Sequence, residues 1–319
     1  MLYIIAKKVY HSNMITPQTT NEKLAQKIGL KSLYLKREDL HPLRSHKGRS
    51  LPKMIDKYAK AGFSEFAISS SGNAGIAAAM YINQRNRDQA GQNATALRLK
   101  VFVGEKIPDE KRRLLTEQAN SNVMIIQRER PLQAFLQAKK DPKVKGLRQS
   151  TDDSALEGYA DLARELSQIA GLSAIFVPTS SGACAQGIYA GYKKAGKVAP
   201  EIHIVQTQSC HPMVEKGGRG LIAKISRIVS PKMQTSIADA IVDQIGHRKV
   251  AVTEALRETR GSGWVASNDD LIRAVELLRE SNVLVSPNGA LTIAGLTQAI
   301  KAGKNKNWQG PVVCLIGGK

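Results

Sequence analysis

The stretch KREDLHPLRSHK, residues 36–47, directly follows the short apolar run LYL and decides the fold. The segment LYLKRE is typical of a β-strand that runs into a polar loop. The loop ends at Ser45-His46-Lys47, where we expect a helix to begin. Taken alone, the lysine predicts little, because most lysines in such surroundings lie at the protein surface.

Two further loops, SSSGNAG at 69–75 and PTSSGAC at 178–184, each lie between a predicted strand and a predicted helix. Small residues let the backbone approach a ligand closely, and the free N–H groups of a helix start bind anions such as carboxylate or phosphate. Each loop alone fits a capped helix start equally well, since Ser and Asn are preferred caps. Two such turns together with a lysine loop indicate a ligand site.

Short apolar runs alternate with stretches of helical periodicity along the chain. We predict strands at 66–69, 99–104, 122–127, 174–179, 201–208 and 312–318. Helical stretches begin after most of these runs, for example NAGIAAAMYINQR at 73–85. The alternation favours a parallel α/β architecture with right-handed crossovers. No internal repeat or low-complexity linker marks a domain boundary.

The composition is that of a globular protein, with 42% hydrophobic residues in a chain of 319. No apolar run reaches the ~20 residues of a membrane-spanning helix. The segment at residues 1–12 begins with an apolar patch that is followed by basic residues and not by a cleavage site. We therefore expect a first strand or arm in a cytoplasmic protein without a membrane partner. The cysteines form no CxxC pair and no metal-ligand spacing, which predicts neither disulfides nor a bound metal; they are Cys184, Cys210 and Cys314.

The formal net charge of +20 is the unusual bulk property. The basic residues are spread along the whole chain, and aromatic residues make up only 5%, too few for a platform on which bases stack. We therefore interpret the charge as a solvated basic surface and regard nucleic acid as an improbable partner. A preference for anionic substrates is the alternative that the same charge favours.

Together, these loops resemble those of the fold-type II pyridoxal phosphate (PLP) enzymes, the family of the tryptophan synthase β chain, threonine synthase, serine and threonine dehydratases and cysteine synthase. The resemblance runs in the same order over roughly residues 15–319. In that family, a lysine in a loop K-R-E-D-L-x-P-x-G-S-x-K forms a Schiff base with the cofactor aldehyde. The resemblance therefore implies that Lys47 holds the cofactor, and that Asn73 hydrogen-bonds the cofactor ring oxygen.

The resemblance also implies the remaining contacts of cofactor and substrate. The expected substrate-carboxylate residues are Ser70, Ser71, Gly72, Asn73 and Ala74. The expected phosphate loop comprises Thr179, Ser180, Ser181, Gly182, Ala183 and Cys184. Near the pyridine nitrogen, where the family usually has Ser, Thr or Cys, the aligned position is Gly317 or Ile316, and Cys314 lies just upstream. His46 is expected either to pack against the cofactor edge or to act as an acid–base group.

The sequence departs from the family pattern in two of these loops. Arg44 stands where the family often has glycine. In the phosphate loop, Ser180-Ser181 replaces a run of glycines, which reduces flexibility but adds hydroxyl donors.

For the architecture, the resemblance implies two open three-layer α/β domains with the cofactor in the cleft between them. The smaller domain is expected at residues 52–155, and the larger at 1–51 plus 156–319. A homodimer is the usual state of the family.

For the chemistry, the resemblance implies elimination or replacement on a small amino-acid substrate. A threonine synthase-like reaction, from O-phosphohomoserine to threonine and phosphate, is favoured. A serine/threonine ammonia-lyase (dehydratase) is the close alternative, and a cysteine synthase-like enzyme is a further one. A hypothesis of another class is a catalytically idle relative whose basic surface binds a polyanion.

Overall fold

The computed structural model describes residues 14–70, 72–92, 94–105, 107–214 and 235–318. The predicted arm at residues 1–12 lies outside these ranges. The strands are β1 (Gln18–Thr20), β2 (Leu33–Lys36), β3 (Glu65–Ser69), β4 (Arg98–Val103), β5 (Val123–Gln127), β6 (Val144–Gly146), β7 (Ala174–Pro178), β8 (Glu201–Thr207), β9 (Gly263–Ala266) and β10 (Val312–Leu315). The helices are α1 (Glu22–Lys27), α2 (Lys47–Lys60), α3 (Asn73–Asp88), α4 (Asp109–Thr116), α5 (Pro131–Ala138), α6 (Leu156–Leu166), α7 (Ala183–Lys194), α8 (Lys249–Glu258), α9 (Asn268–Glu280) and α10 (Pro287–Lys301).

The strands form two separate sheets. One has six strands in the order β1-β2-β10-β7-β8-β9, and the other has four in the order β5-β4-β3-β6. All neighbouring strands are parallel except β1, which pairs with β2 in the antiparallel direction. The predicted α/β fold class is confirmed, and β1 is the one antiparallel strand among those named above.

Helices cover both faces of each sheet, because the strand residues alternate between two apolar layers. In β7, Phe176 faces a cluster built with α1, α9 and α10, whereas Ile175 and Val177 face the cluster of α6, α7 and α8. The smaller sheet packs against α2, α3 and α4 on one face and against Phe135 of α5 on the other. Each sheet is therefore the middle of three layers.

The smaller sheet, β3 to β6, lies within residues 65–146, and the larger sheet takes strands from both sides of it in sequence. The domain limits 52–155 and 1–51 plus 156–319 are compatible with this division and stay a prediction. Among the described residues, no helix has the length and apolar character that a bilayer crossing requires. In the same residues, no three His, Cys, Asp or Glu side chains converge as metal ligands.

Candidate active site

A cleft with a volume of about 510 Å³ lies where the carboxyl ends of the two sheets meet. Residues at or just after the ends of β3, β6, β7 and β10 line it, for example Ser69, Pro178 and Gly317. In open α/β sheets, ligands bind at this edge because the loops there present helix N-termini and free side chains. The predicted residues that line the cleft are His46, Lys47, Ser70, Gly72, Asn73, Ala74, Thr179, Ser180, Ser181, Gly182, Cys184 and Gly317.

Three predicted residues are not among the lining residues. Ser71 lies outside the described residues. The Ala183 side chain is buried in the core between α7 and the larger sheet, so only its backbone N–H is left for a ligand. Cys314 is fully buried between β10 and α10, where its Sγ contacts the carbonyl oxygen of Thr292 at 3.8 Å. This geometry does not support a cofactor contact by Cys314, because β10 turns that side chain into the apolar layer away from the cleft.

Lys47 is the first residue of α2 and lies in the wall of the cleft. Its amine makes no hydrogen bond and no ion pair with the residues that the structure describes. Burial lowers the pKa of this amine, and the negative charge of Asp243 does not restore it. An amine that loses its proton readily is what a nucleophilic or basic lysine requires.

A buried ionic cluster fixes the loop before Lys47. Arg49 donates to both carboxylate oxygens of Glu38, from Nε at 2.9 Å and from Nη2 at 2.8 Å. Burial alone raises the pKa of Glu38, but the Arg49 guanidinium outweighs it and leaves that pKa below its usual value. Glu165 of α6 bridges Arg49 to Lys36, and the Lys36 amine also donates to the carbonyl oxygen of Thr16 at 2.8 Å.

The cluster gives the KRED sequence a structural role that the sequence analysis did not identify. Lys36 and Glu38 are fully buried, although charged residues are rarely buried without a partner. The available signal was the run of four charged residues directly after the apolar residues of a predicted strand.

Arg44 has a φ of 68°, in the left-handed region that favours glycine. This explains why the family pattern has glycine at this place. The chain accepts about 1–2 kcal/mol of backbone strain at Arg44.

His46 holds the end of β10 in place. Its Nδ1 lies 2.6 Å from the carbonyl oxygen of Gly317, and its backbone N–H donates to the same oxygen at 3.0 Å. Burial, reinforced by the charge of Lys47, lowers the pKa of His46 to about 4, so the ring is neutral at neutral pH. Because a carbonyl only accepts, the proton lies on Nδ1. The geometry thus favours positioning over acid–base work.

The loop before α3 presents its backbone to the cleft. A Cβ at Gly75 would lie 2.5 Å from the carbonyl oxygen of Ser70, so the turn requires glycine there. The Gly72 N–H is 3.3 Å from Ser70 Oγ. The Asn73 side-chain amide packs against Gly318, and a Cβ on Gly318 would lie 2.6 Å from Asn73 Nδ2. The first amides of α3 remain available to an anion.

The loop before α7 has the shape of an anion site. Gly182 has a φ of 80°, and a Cβ on it would lie 2.8 Å from Val252 Cγ2. The Thr179 hydroxyl donates to the carbonyl oxygen of Val177 at 2.9 Å, whereas Ser180 Oγ accepts from the Val242 and Asp243 amides at 3.2 and 3.3 Å. The serine hydroxyl protons and the first amides of α7 can therefore point to a phosphate.

The wall at Gly317 has no space for a side chain. A Cβ at this position would lie 2.8 Å from Pro178 Cγ and 3.2 Å from His46 Nδ1. The family's Ser, Thr or Cys near the pyridine nitrogen thus has no equivalent at Gly317.

Two cationic residues of the cleft were missed by the sequence analysis. Lys111 of α4 reaches across the cleft and contacts both oxygens of Asp239 at 2.6 Å, and Asn288 donates to the same carboxylate at 2.8 Å. Arg148, just after β6, also lines the cleft, and its Nη2 lies 3.3 Å from His247 Nε2. Neither residue had a signal in the sequence, because the basic residues of the chain are spread throughout.

The family model described as pyridoxal-phosphate dependent enzyme matches residues 11–318. The chain belongs to this family. The cleft of this enzyme fits the cofactor: Lys47 offers to an aldehyde an amine that has no partner in the described part of the chain, and the Gly182 turn offers a helix N-terminus to a phosphate. The predicted family and the PLP cofactor are confirmed.

Two curated relatives are similar over most of this enzyme. A threonine synthase from Methanosarcina acetivorans is 25% identical over 310 residues, which cover 90% of this chain and 70% of that protein. A chloroplastic biosynthetic threonine dehydratase 1 from Solanum lycopersicum is 24% identical over 92% of this chain, but the match spans only 46% of that protein. Among solved structures, a pyridoxal 5'-phosphate-dependent aspartate racemase has a TM-score of 0.75 at 21% identity, covering 96% of this chain and 90% of that one. That structural likeness shows the fold.

Proposed function

We propose that this enzyme is threonine synthase-like and converts O-phosphohomoserine and water to threonine and phosphate. The observation that carries the proposal is the position of Lys47, whose amine lies in one cleft with the N-termini of α3 and α7. One terminus suits a carboxylate and the other a phosphate, so a phosphorylated cofactor and an amino acid can both be held. The similarity to a threonine synthase over 90% of the chain supports the choice of reaction.

PLP, when bound, supplies an electron sink for the negative charge that develops at the substrate Cα. In the proposed roles, the Lys47 amine removes the Cα proton and later returns a proton to the product. Ser70, Gly72, Asn73 and Ala74 bind the substrate carboxylate, together with Ser71. The proposed phosphate loop, Thr179 to Cys184, anchors the cofactor, and His46 keeps Gly317 against it.

The test is an assay of the PLP-loaded enzyme with O-phospho-L-homoserine. We expect phosphate and threonine to form in equal amounts, and Lys47→Ala to abolish both. Formation of a 2-oxoacid and ammonia from L-serine or L-threonine, without phosphate release, would instead establish the ammonia-lyase. That alternative is supported by the similarity to the threonine dehydratase. A cysteine synthase-like reaction is the third possibility.

An enzyme without any of these activities, but with salt-dependent binding to a polyanion, would point to the idle relative. The homodimer and the cytoplasmic location stay predictions.

A further inference from the structure

The cationic side chains in the cleft differ in how their charges are compensated. Lys111 is neutralised by Asp239 at 2.6 Å, and the Lys47 amine has its proposed partner in the cofactor aldehyde. Arg148 has no carboxylate within 4.0 Å in the part of the chain that the structure describes. Its contacts are Ser150 Oγ, 3.1 Å from Nε, and His247 Nε2, 3.3 Å from Nη2. One guanidinium charge in the cleft is thus uncompensated.

The loop that carries Arg148 is held firmly. The buried Arg248 donates from Nε to the carbonyl oxygen of Gln149 at 3.0 Å and from Nη2 to that of Asp152 at 2.8 Å. The buried Gln149 side chain also contacts Ser50 of α2. On the other side of Arg148, the buried Leu147 donates its N–H to the carbonyl oxygen of Ala67 at 2.8 Å. Both neighbours of Arg148 are therefore fixed, and the guanidinium is presented to the cleft from a rigid support.

A half-buried guanidinium is unfavourable without a partner, and an anion in the cleft would offset that cost. Its planar fork fits carboxylate or phosphate oxygens in a bidentate manner. The N-termini of α3 and α7 are already assigned to the substrate carboxylate and the cofactor phosphate. The unused guanidinium on a third wall is therefore available to a second anionic group of the substrate.

We propose that Arg148 is a specificity residue that binds an anionic group at the distal end of the amino-acid substrate. The inference rests on the proposed function, because it assumes that an amino acid occupies the cleft. The substrate class is an amino acid with a distal phosphate or carboxylate, and Arg148 is the side chain that selects it.

The test measures ligand binding to the PLP-loaded protein by calorimetry. The probes are L-2-amino-5-phosphonopentanoate, in which carbon replaces the ester oxygen so that no phosphate can leave, and its neutral counterpart L-norvaline. L-Glutamate and L-glutamine form the corresponding carboxylate pair. The variants are Arg148→Gln and Arg148→Lys. Arg128→Gln is the matched control, because Arg128 follows β5 as Arg148 follows β6 but is exposed and does not line the cleft.

We expect Arg148→Gln to weaken binding of the anionic probes by about 10- to 100-fold, the range for hydrogen bonds to charged groups. L-Norvaline and L-glutamine should change less than twofold, Arg148→Lys should recover part of the loss, and Arg128→Gln should behave as the parent. A loss restricted to the phosphonate supports a phosphate ester as substrate, whereas a loss for both anionic probes supports the wider class. Equal binding of anionic and neutral probes by the parent, or equal losses in Arg148→Gln, overturns the proposal.

The same variants separate this inference from the proposed function. If the enzyme releases no phosphate from O-phospho-L-homoserine but its anion preference depends on Arg148, the reaction assignment fails and the inference stands. If phosphate is released and Arg148→Gln leaves KM for O-phospho-L-homoserine unchanged, the inference fails and the reaction assignment stands.

Discussion

Arg49 and Glu38 form a two-point ion pair, with N–O distances of 2.9 and 2.8 Å, and both side chains are almost completely buried. Arg49 lies two residues after Lys47 in α2, and Glu38 lies in the loop that leads to it. The pair therefore joins the two ends of the loop that presents the Lys47 amine. Removing Arg49 leaves the buried Glu38 carboxylate without an ion-pair partner among the described residues, whereas Arg49 also pairs with Glu165.

Arg49→Met is expected to lower the free energy of unfolding by about 3–5 kcal/mol, because it leaves Glu38 buried and unpaired. Urea denaturation monitored by circular dichroism measures the loss. Arg257→Met is the control, since the Arg257 side chain is 76% exposed and should cost less than about 0.5 kcal/mol. Losses of similar size in the two variants would contradict a structural role for the pair.

Lys47→Ala is expected to abolish the visible absorption band of protein mixed with PLP. Among the described residues, the one other lysine that lines the cleft is Lys111, and it is paired with Asp239. Absorption spectra and equilibrium dialysis measure the effect. Lys53→Ala is the matched control, about 1.7 turns further along α2 and outside this cleft. A band of parental strength in Lys47→Ala would show that the lysine was wrongly assigned.

Gly182→Ala is expected to weaken PLP binding by at least about tenfold, because the new Cβ displaces the turn by which α7 meets the phosphate. Gly196→Ala isolates the effect of backbone strain: its φ is also positive, at 64°, but a Cβ there meets nothing within 4 Å. Gly196→Ala should lose about 1–2 kcal/mol of stability from strain alone, and Gly182→Ala should lose at least as much. Only Gly182→Ala should lose cofactor affinity. Equilibrium dialysis checks the affinity, and equal affinities in both variants would exclude an anchoring role for the turn.

The unfolding free energy is expected to decrease as the pH falls below about 6.5. Burial lowers the pKa of His41 to about 4, against 6.5 for the unfolded chain, and the pKa of His46 is lowered likewise. Between these values the unfolded chain binds more protons, so each histidine contributes a slope of up to about 1.4 kcal/mol per pH unit.

His41→Asn tests this pH dependence, because the amide oxygen can still accept from the Leu43 N–H that contacts His41 Nδ1 at 3.0 Å. Urea titrations at several values between pH 7 and 5 should give a shallower decrease for the variant. An unchanged slope would show that His41 is protonated in the folded protein as readily as in the unfolded chain.

The sequence determined the elements that depend on local patterns. The predicted strands at 66–69, 99–104 and 174–179 coincide with β3, β4 and β7 within one residue at each end. The small residues at two strand–helix junctions also predicted the loops before α3 and α7. A helix N-terminus that approaches a ligand needs several small residues close together in the sequence, so this pattern is local. The short strands β1, β6 and β9 were missed, since three or four residues carry no usable periodicity.

Only the tertiary structure decided which side chains meet. Lys111 and Asp239 are 128 positions apart, and Arg148 and His247 are 99 apart, so no local pattern connects them. Cys314 looked close to the cofactor in sequence, but the strand alternation turns it into the core while Gly317 reaches the cleft. The spacing of hydrophobic residues and the backbone freedom of small residues depend on residues that are neighbours in the sequence, so the sequence alone can predict their effects. Charge compensation across a cleft depends on how two sheets pack, and that is fixed only when the chain folds.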